Sequence, residues 1–150
     1  MPNTALIDTN ILVYTYEVHD QVRQAKTLSV LSDLRTSGRG YLSVKTLSEF
    51  FVVARRIPNP LTNEQALIEL QKHAVIWPVL DLTSNIVIEA ARGVKEYGFS
   101  YWDAQMWATA KLHHLTAVFT EDMNVGSQIE GVSIINPLDK GFDIVAWLSK

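Results

Sequence analysis

Thr4-Ala5-Leu6-Ile7-Asp8-Thr9-Asn10-Ile11-Leu12 is the stretch whose reading decides the fold. A short apolar run meets Asp-Thr-Asn, residues that stop a strand and open a helix, and apolar residues then resume. The run reads as a buried strand with Asp8 at its carboxyl end. In open α/β sheets that edge is where ligands bind.

Working outward, Ile11 to Tyr16 suits a strand or a helix by periodicity alone, and the cap at 8–10 with no turn signal favours a helix. Val22, Ala25, Leu28, Leu31 and Leu34 predict an amphipathic helix over 20–36, ended by Gly38 and Gly40. Tyr41-Leu42-Ser43 reads as a second strand, and Val44, Leu47, Phe50, Phe51 and Ala54 as a helix stopped by Pro58-Asn59-Pro60. Thr62-Asn63-Glu64 opens the next helix, and 75–80 is expected to be a strand, with Pro78 pointing to an edge position. Thr83 or Ser84 caps a helix running toward Gly98, and Ser100 opens another that reaches His114. Strands follow at 116–120 and 132–135, and 142–148 closes with a helical turn. Short strands alternating with longer helices imply parallel pairing through right-handed crossovers. The expectation is a three-layer α/β/α sandwich with a central, mainly parallel sheet of four to five strands, forming one domain over 1–150.

The chain has 150 residues, 47% hydrophobic and 19% charged, and no cysteine. That composition belongs to a folded domain and removes thiol nucleophiles, disulfides and cysteine zinc sites. Met1-Pro2-Asn3 leads straight into the first strand without a secretion signal, and no apolar run reaches the ~18 residues of a membrane span. A cytoplasmic protein is expected. The net charge of −3 argues against a surface that binds nucleic acid as a whole, yet leaves room for a local basic rim. Lys45, Arg55 and Arg56 are the foremost candidates for that rim, and solvated helix faces are the plainer reading of the same residues.

Dinucleotide-binding and phosphate-cradling glycine loops are absent, as is a Gly-x-Ser-x-Gly nucleophile elbow. His113 and His114 are adjacent on a helix and too poorly spaced for a metal pair. What remains is acidic. Asp8 and Asp122 each follow a predicted strand, so neighbouring strands would bring both to one sheet edge, although Asp8 also suits a helix cap and Glu121 competes with Asp122 for the inward position. Glu49 lies mid-helix among apolar residues, where an unpartnered carboxylate is costly, and its only helical cation is Lys45 four residues before it, the less favourable order. Asp103 lies three residues after Ser100, a spacing that also suits a capping box. Trp102 and Trp107 are able to stack on bases or to fill the core. If the four acids converge, they repel one another unless a cation joins them. Oxygen ligands without histidine or cysteine favour Mg²⁺ or Mn²⁺, ions that support hydrolysis of phosphodiester bonds.

Asp8-Thr9-Asn10-Ile11-Leu12 after a strand, Ser48-Glu49-Phe50 in a helix, Trp102-Asp103-Ala104 opening a helix and Thr120-Glu121-Asp122 after a strand resemble the four acidic signatures of PIN-domain ribonucleases. The resemblance covers almost the whole chain, in order. Within that family a compact chain of this kind looks like the toxin half of a VapBC-type toxin–antitoxin pair. The resemblance implies an endoribonuclease dependent on Mg²⁺ or Mn²⁺, an RNA substrate, a cognate antitoxin and frequent homodimers. It carries Asp8, Glu49, Asp103 and Asp122 over as metal ligands and Thr120 as a polar residue beside the site. The family often has a further acid shortly after the fourth, where Asn124 stands here, which leaves a second metal position open. A PIN-like module without activity, serving as an RNA or protein platform, is the alternative. A phosphoacceptor receiver domain wants paired acids after its first strand, and Asp8-Thr9 supplies only one.

Overall fold

The computed structural model describes residues 1–150. In chain order the elements are β1 (Ala5–Ile7), α1 (Thr9–Val13) with a 3₁₀ turn at Tyr14–Tyr16, α2 (Gln21–Ser37), β2 (Gly40–Ser43), α3 (Val44–Ala54), α4 (Asn63–Ile76) and β3 (Val79–Leu80). Then come α5 (Ser84–Tyr97), α6 (Tyr101–Leu112), β4 (Ala117–Phe119), β5 (Gln128–Ile129), β6 (Val132–Ile135) and α7 (Ile144–Leu148). They form a six-stranded sheet in the order β3-β2-β1-β4-β6-β5. All pairings are parallel except β5 with β6.

Successive residues of a strand face opposite sides of the sheet, and this alternation builds two cores. Ala5 and Ile7 of β1 and Ala117 and Phe119 of β4 join Val30, Leu34, Phe50 and Ile144 from the helices of one face. Leu6 and Val118, on the opposite side of the same strands, join Ile86, Ala90, Met106 and Trp107 from α5 and α6. The fold is therefore the expected three-layer sandwich. The chain leaves β1 toward β2 on one face and reaches β4 from the other face, so the strand order reverses between β1 and β4. That switch point is where open α/β sheets leave a crevice at their carboxyl edge.

Three expectations are corrected. The sheet has six strands rather than four to five, because residues 128–135 make a hairpin. Its turn places Glu130 at φ 49° and Gly131 at φ 87°. Two positive φ values are what a two-residue hairpin turn requires, and Glu in place of the usual Asn or Asp hides it in the sequence. Val75 and Ile76 continue α4, so β3 is only Val79–Leu80, although its edge position agrees with Pro78. Helix α2 buries Thr27, Val30, Leu31 and Leu34, whereas Val22 is 83% exposed and Leu28 faces solvent. No helix is long and apolar enough to cross a membrane.

Candidate active site

Asp8 follows β1 in extended conformation, so its carboxylate emerges beyond the strand. Its Oδ1 accepts the Thr9 backbone N–H at 2.7 Å and its Oδ2 accepts the Thr120 hydroxyl at 2.8 Å. A capping aspartate normally takes an N–H two or three residues on. Asp8 takes only the next one, so capping does not account for its placement. Burial pushes its carboxyl above the ordinary range, opposed by the bonds from Thr120 and Thr9 and by the charge of Lys45, while Glu49 adds to the rise. Thr120 is fully buried and does not line the cavity; its hydroxyl reaches the site through Asp8.

Helix α3 starts at the end of β2, with Ser43 as its cap, and is tied to β1 where the Thr46 hydroxyl donates to the Ile7 carbonyl at 3.2 Å. One turn further on, Glu49 points at the same edge. Lys45 Nζ lies 2.7 Å from Glu49 Oε1, and the Thr9 hydroxyl donates to Oε2 at 3.1 Å. Both oxygens are engaged, so Glu49 is not the uncompensated carboxylate that its apolar surroundings predict.

Ser100 caps α6 by accepting the Asp103 N–H at 3.2 Å. In a full capping box the third residue answers with its side chain, as Gln65 does toward Thr62 at 2.9 Å. Asp103 does not answer, and its carboxylate makes no hydrogen bond or ion pair within the chain. After β4, Asp122 Oδ2 accepts from Asn10 Nδ2 at 2.8 Å. Glu121 turns the other way, accepting from the Tyr14 hydroxyl and pairing with Arg23 at 3.6 Å. The choice between the two acids thus falls to Asp122. Burial, then the neighbouring Glu121, raises the Tyr14 hydroxyl to about 12.

Asp8, Glu49, Asp103 and Asp122 all line one open cavity of about 380 Å³, together with Asn10, Lys45 and Trp102. Two cavities of similar size, about 340 Å³ beside His73 and about 480 Å³ beside Glu89, gather no such set of acids. No three of the acidic or histidine side chains converge closely enough to form a ready-made metal cage. Mg²⁺ does not need one, since it is commonly held by one or two carboxylates and keeps several waters. The donors fit such an ion: they are all oxygen, one carboxylate is unpartnered, and Asn10 Oδ1 is buried without a hydrogen-bond donor.

The basic rim is smaller than the sequence suggests. Lys45 lines the cavity, but Arg55 does not reach it. The Arg55 guanidinium folds back over the Phe51 ring at 4.4 Å and bonds to Asn63 at 3.0 Å. Arg56 is exposed at the end of α3, away from the cavity lining. The two tryptophans separate: Trp107 is fully buried and donates to the Ile129 carbonyl at 3.0 Å, whereas Trp102 is 61% exposed at the cavity rim. Asn10 escapes a reading of the sequence that looks only for acids. Its signal is the spacing from Asp8, which puts it in the first turn of α1 on the cavity side.

Fold and cavity together define an α/β domain with an all-oxygen, acidic site at the switch point of its sheet. A family model for the PIN domain matches residues 5–126, and the chain belongs to the PIN domain family. No curated protein matches it. Among solved structures it is similar to a toxin–antitoxin complex from Klebsiella pneumoniae, with a TM-score of 0.63 and 22% identity over 86% of this chain and 95% of that one. It is similar to DNA-bound VapBC from Salmonella typhimurium, with a TM-score of 0.64 and 21% identity over 88% of this chain and 96% of that one. It is also similar to VapC20, a sarcin-ricin loop cleaving toxin from Mycobacterium tuberculosis, with a TM-score of 0.62 and 15% identity over 81% and 92% of the two chains. At these identities the likeness is one of fold.

Proposed function

We propose that residues 1–150 form one nuclease domain that hydrolyses RNA phosphodiester bonds with the help of Mg²⁺ or Mn²⁺. The observation that carries this reading is the unpartnered carboxylate of Asp103 in a cavity shared with three other acids. A carboxylate kept without a partner on a cavity wall is available to a ligand and does nothing for the fold, which an inert binding module does not call for. Asp8 and Asp103 are the principal ligands, one or two carboxylates being enough for such an ion, with Asp122 reaching its waters from the β4 side and Glu49 from α3.

A bound divalent ion supplies charge neutralisation at a phosphoryl oxygen and lowers the pKa of a water at the site. The chain's own residues prepare the place. Thr120 and the Thr9 N–H each hold one oxygen of Asp8, which keeps the carboxylate fixed in the cavity lining. Asn10 holds Asp122 by one oxygen and leaves the other free. The first turn of α6 presents Asp103 without any competing partner. Lys45 is the one cation in the lining, and the open mouth with Trp102 at its rim admits a strand of nucleic acid. Phosphate binding at such a site weakens with added salt.

The similarity in fold to proteins of toxin–antitoxin complexes extends the proposal to a toxin that acts in the cytoplasm, pairs with a cognate antitoxin and assembles as a homodimer. The test is cleavage of a structured RNA by the purified protein. Wild type is expected to cut in Mg²⁺ or Mn²⁺ and not in chelator, and Asp8→Asn to be inactive in both. Cleavage that persists in chelator, or in Asp8→Asn, would overturn the assignment.

A further inference from the structure

The acids of the cavity are not equally compensated. On the α3 side, Glu49 spends both oxygens on neighbours: Oε1 on Lys45 Nζ at 2.7 Å and Oε2 on the Thr9 hydroxyl at 3.1 Å. Elsewhere in the same lining Asp103 has no partner, and the Asp122 carboxylate is met only by a neutral amide. Helix energetics do not explain the lysine, because Lys before Glu at this spacing is the weaker order. Nor does the lysine itself stand in solvent: the Lys45 side chain is 14% exposed, while that of Glu49 is 43% exposed. A lysine that gives up most of its hydration to lie against a carboxylate on the wall of an acidic cavity acts there as a fixed counter-charge.

We propose that the Lys45 ammonium occupies the role of a second metal ion, so that the site takes up a single divalent ion on the side of Asp8, Asp103 and Asp122. The inference rests on the metal-dependent reading above and specifies its stoichiometry. An ammonium has three donors. One is committed to Glu49, which fixes the group, and the others remain for a non-bridging phosphate oxygen. A second dication beside Glu49 would have to displace the ammonium and then sit within its repulsion. Glu49 is thus the anchor of an organic cation rather than a metal ligand of the first rank, which refines its expected role.

The experiment counts Mn²⁺ bound per chain, by calorimetry and by the paramagnetic resonance of free Mn²⁺, on the full-length protein. Wild type is expected to bind one ion. Lys45→Gln, with Glu49 released and the positive charge gone, is expected to bind two, and Lys45→Arg one. A thermal melt in chelator and in Mn²⁺ shows whether each variant is folded, and Lys45→Met replaces Lys45→Gln if that chain does not fold. Two ions on wild type, or a single ion on folded Lys45→Gln, would overturn the inference and leave the nuclease reading standing. No ion on wild type would overturn both. The wild-type count decides by itself if neither substituted chain folds.

Discussion

Replacing Asp103 by Asn separates the two roles open to this residue, ligand and helix cap, and Ser100→Ala is its natural counterpart. Ser100 takes the Asp103 N–H at 3.2 Å, while the Asp103 carboxylate takes nothing. Loss of a serine cap costs about 1 kcal/mol. For a chain of this size that lowers the melting temperature by about 2–4 °C. Asp103→Asn keeps the backbone bond and loses only a favourable charge in the first turn of α6, about 0.3–1 kcal/mol and toward the lower end where the residue is partly solvated. Its melting temperature in chelator is therefore expected to stay within about 2 °C of wild type. Catalysis reverses the order. A lost metal ligand removes several kcal/mol of charge stabilisation, so cleavage by Asp103→Asn falls by about 10²–10³-fold, whereas Ser100→Ala retains most of it. Differential scanning calorimetry and single-turnover RNA cleavage read the two effects. A melting point several degrees lower for Asp103→Asn, with cleavage intact, would show that the carboxylate is structural and refute the reasoning.

Burial raises the Asp8 carboxyl, so its stabilising protonated form is present below the ordinary aspartate range and is lost as pH rises through the raised folded value. Asp8→Asn in chelator is accordingly expected to melt above wild type at neutral pH, with the gap closing in acid; a variant several degrees less stable at pH 7 would contradict this. Glu130 has the opposite sign: the Tyr97 hydroxyl, Lys111 and Arg92 hold its carboxyl at about 2. Its contribution is present above the ordinary glutamate range and lost as pH falls toward that value, so Glu130→Gln should melt below wild type at pH 7 and converge with it in acid. Equal melting curves at pH 7 would show that this network contributes nothing. At Gly93 an added Cβ would meet Trp107 Cζ3 at 2.8 Å and Phe99 Cδ2 at 3.2 Å. Trp107 is buried and hydrogen-bonded, so Gly93→Ala pushes α5 off α6 at a cost of about 1–3 kcal/mol, readable in urea denaturation. A midpoint equal to that of wild type would show that the two helices are loosely packed.

Local signals made much of this fold legible. Thr62, Thr83 and Ser100 cap their helices as their positions foretell, and Gly38 and Gly98 end theirs in the left-handed conformation. The placement of Asp8 followed from an apolar run meeting Asp-Thr-Asn, and the meeting of Asp8 with Asp122 from parallel pairing of β1 with β4. What stayed hidden depends mostly on contacts distant in sequence, with local exceptions at Val75, Ile76 and Arg55. Val22 and Leu28 have helical spacing but no neighbour to bury them, so α2 turns Thr27 and Val30 inward instead. Val75 and Ile76 are β-branched, yet α4 carries them to its last turn before Pro78 intervenes. Trp102 and Trp107 look alike in sequence, and only the packing of α6 on α5 sends one into the core and the other to the cavity rim. Arg55 is drawn from the rim by the Phe51 ring, a local pairing that charge counting overlooks. Glu49 was conspicuous among apolar residues, but its pairing with both Lys45 and Thr9 needed α1 and α3 side by side.

The ion itself is the most direct witness. Crystals grown or soaked with Mn²⁺ and measured at its absorption edge locate the metal by anomalous scattering. One strong peak is expected in the cavity, coordinated by Asp8 and Asp103, with Lys45 still paired to Glu49. A peak that lies elsewhere on the molecule, or none at saturating Mn²⁺, would contradict a metal-dependent site at the carboxyl edge of this sheet.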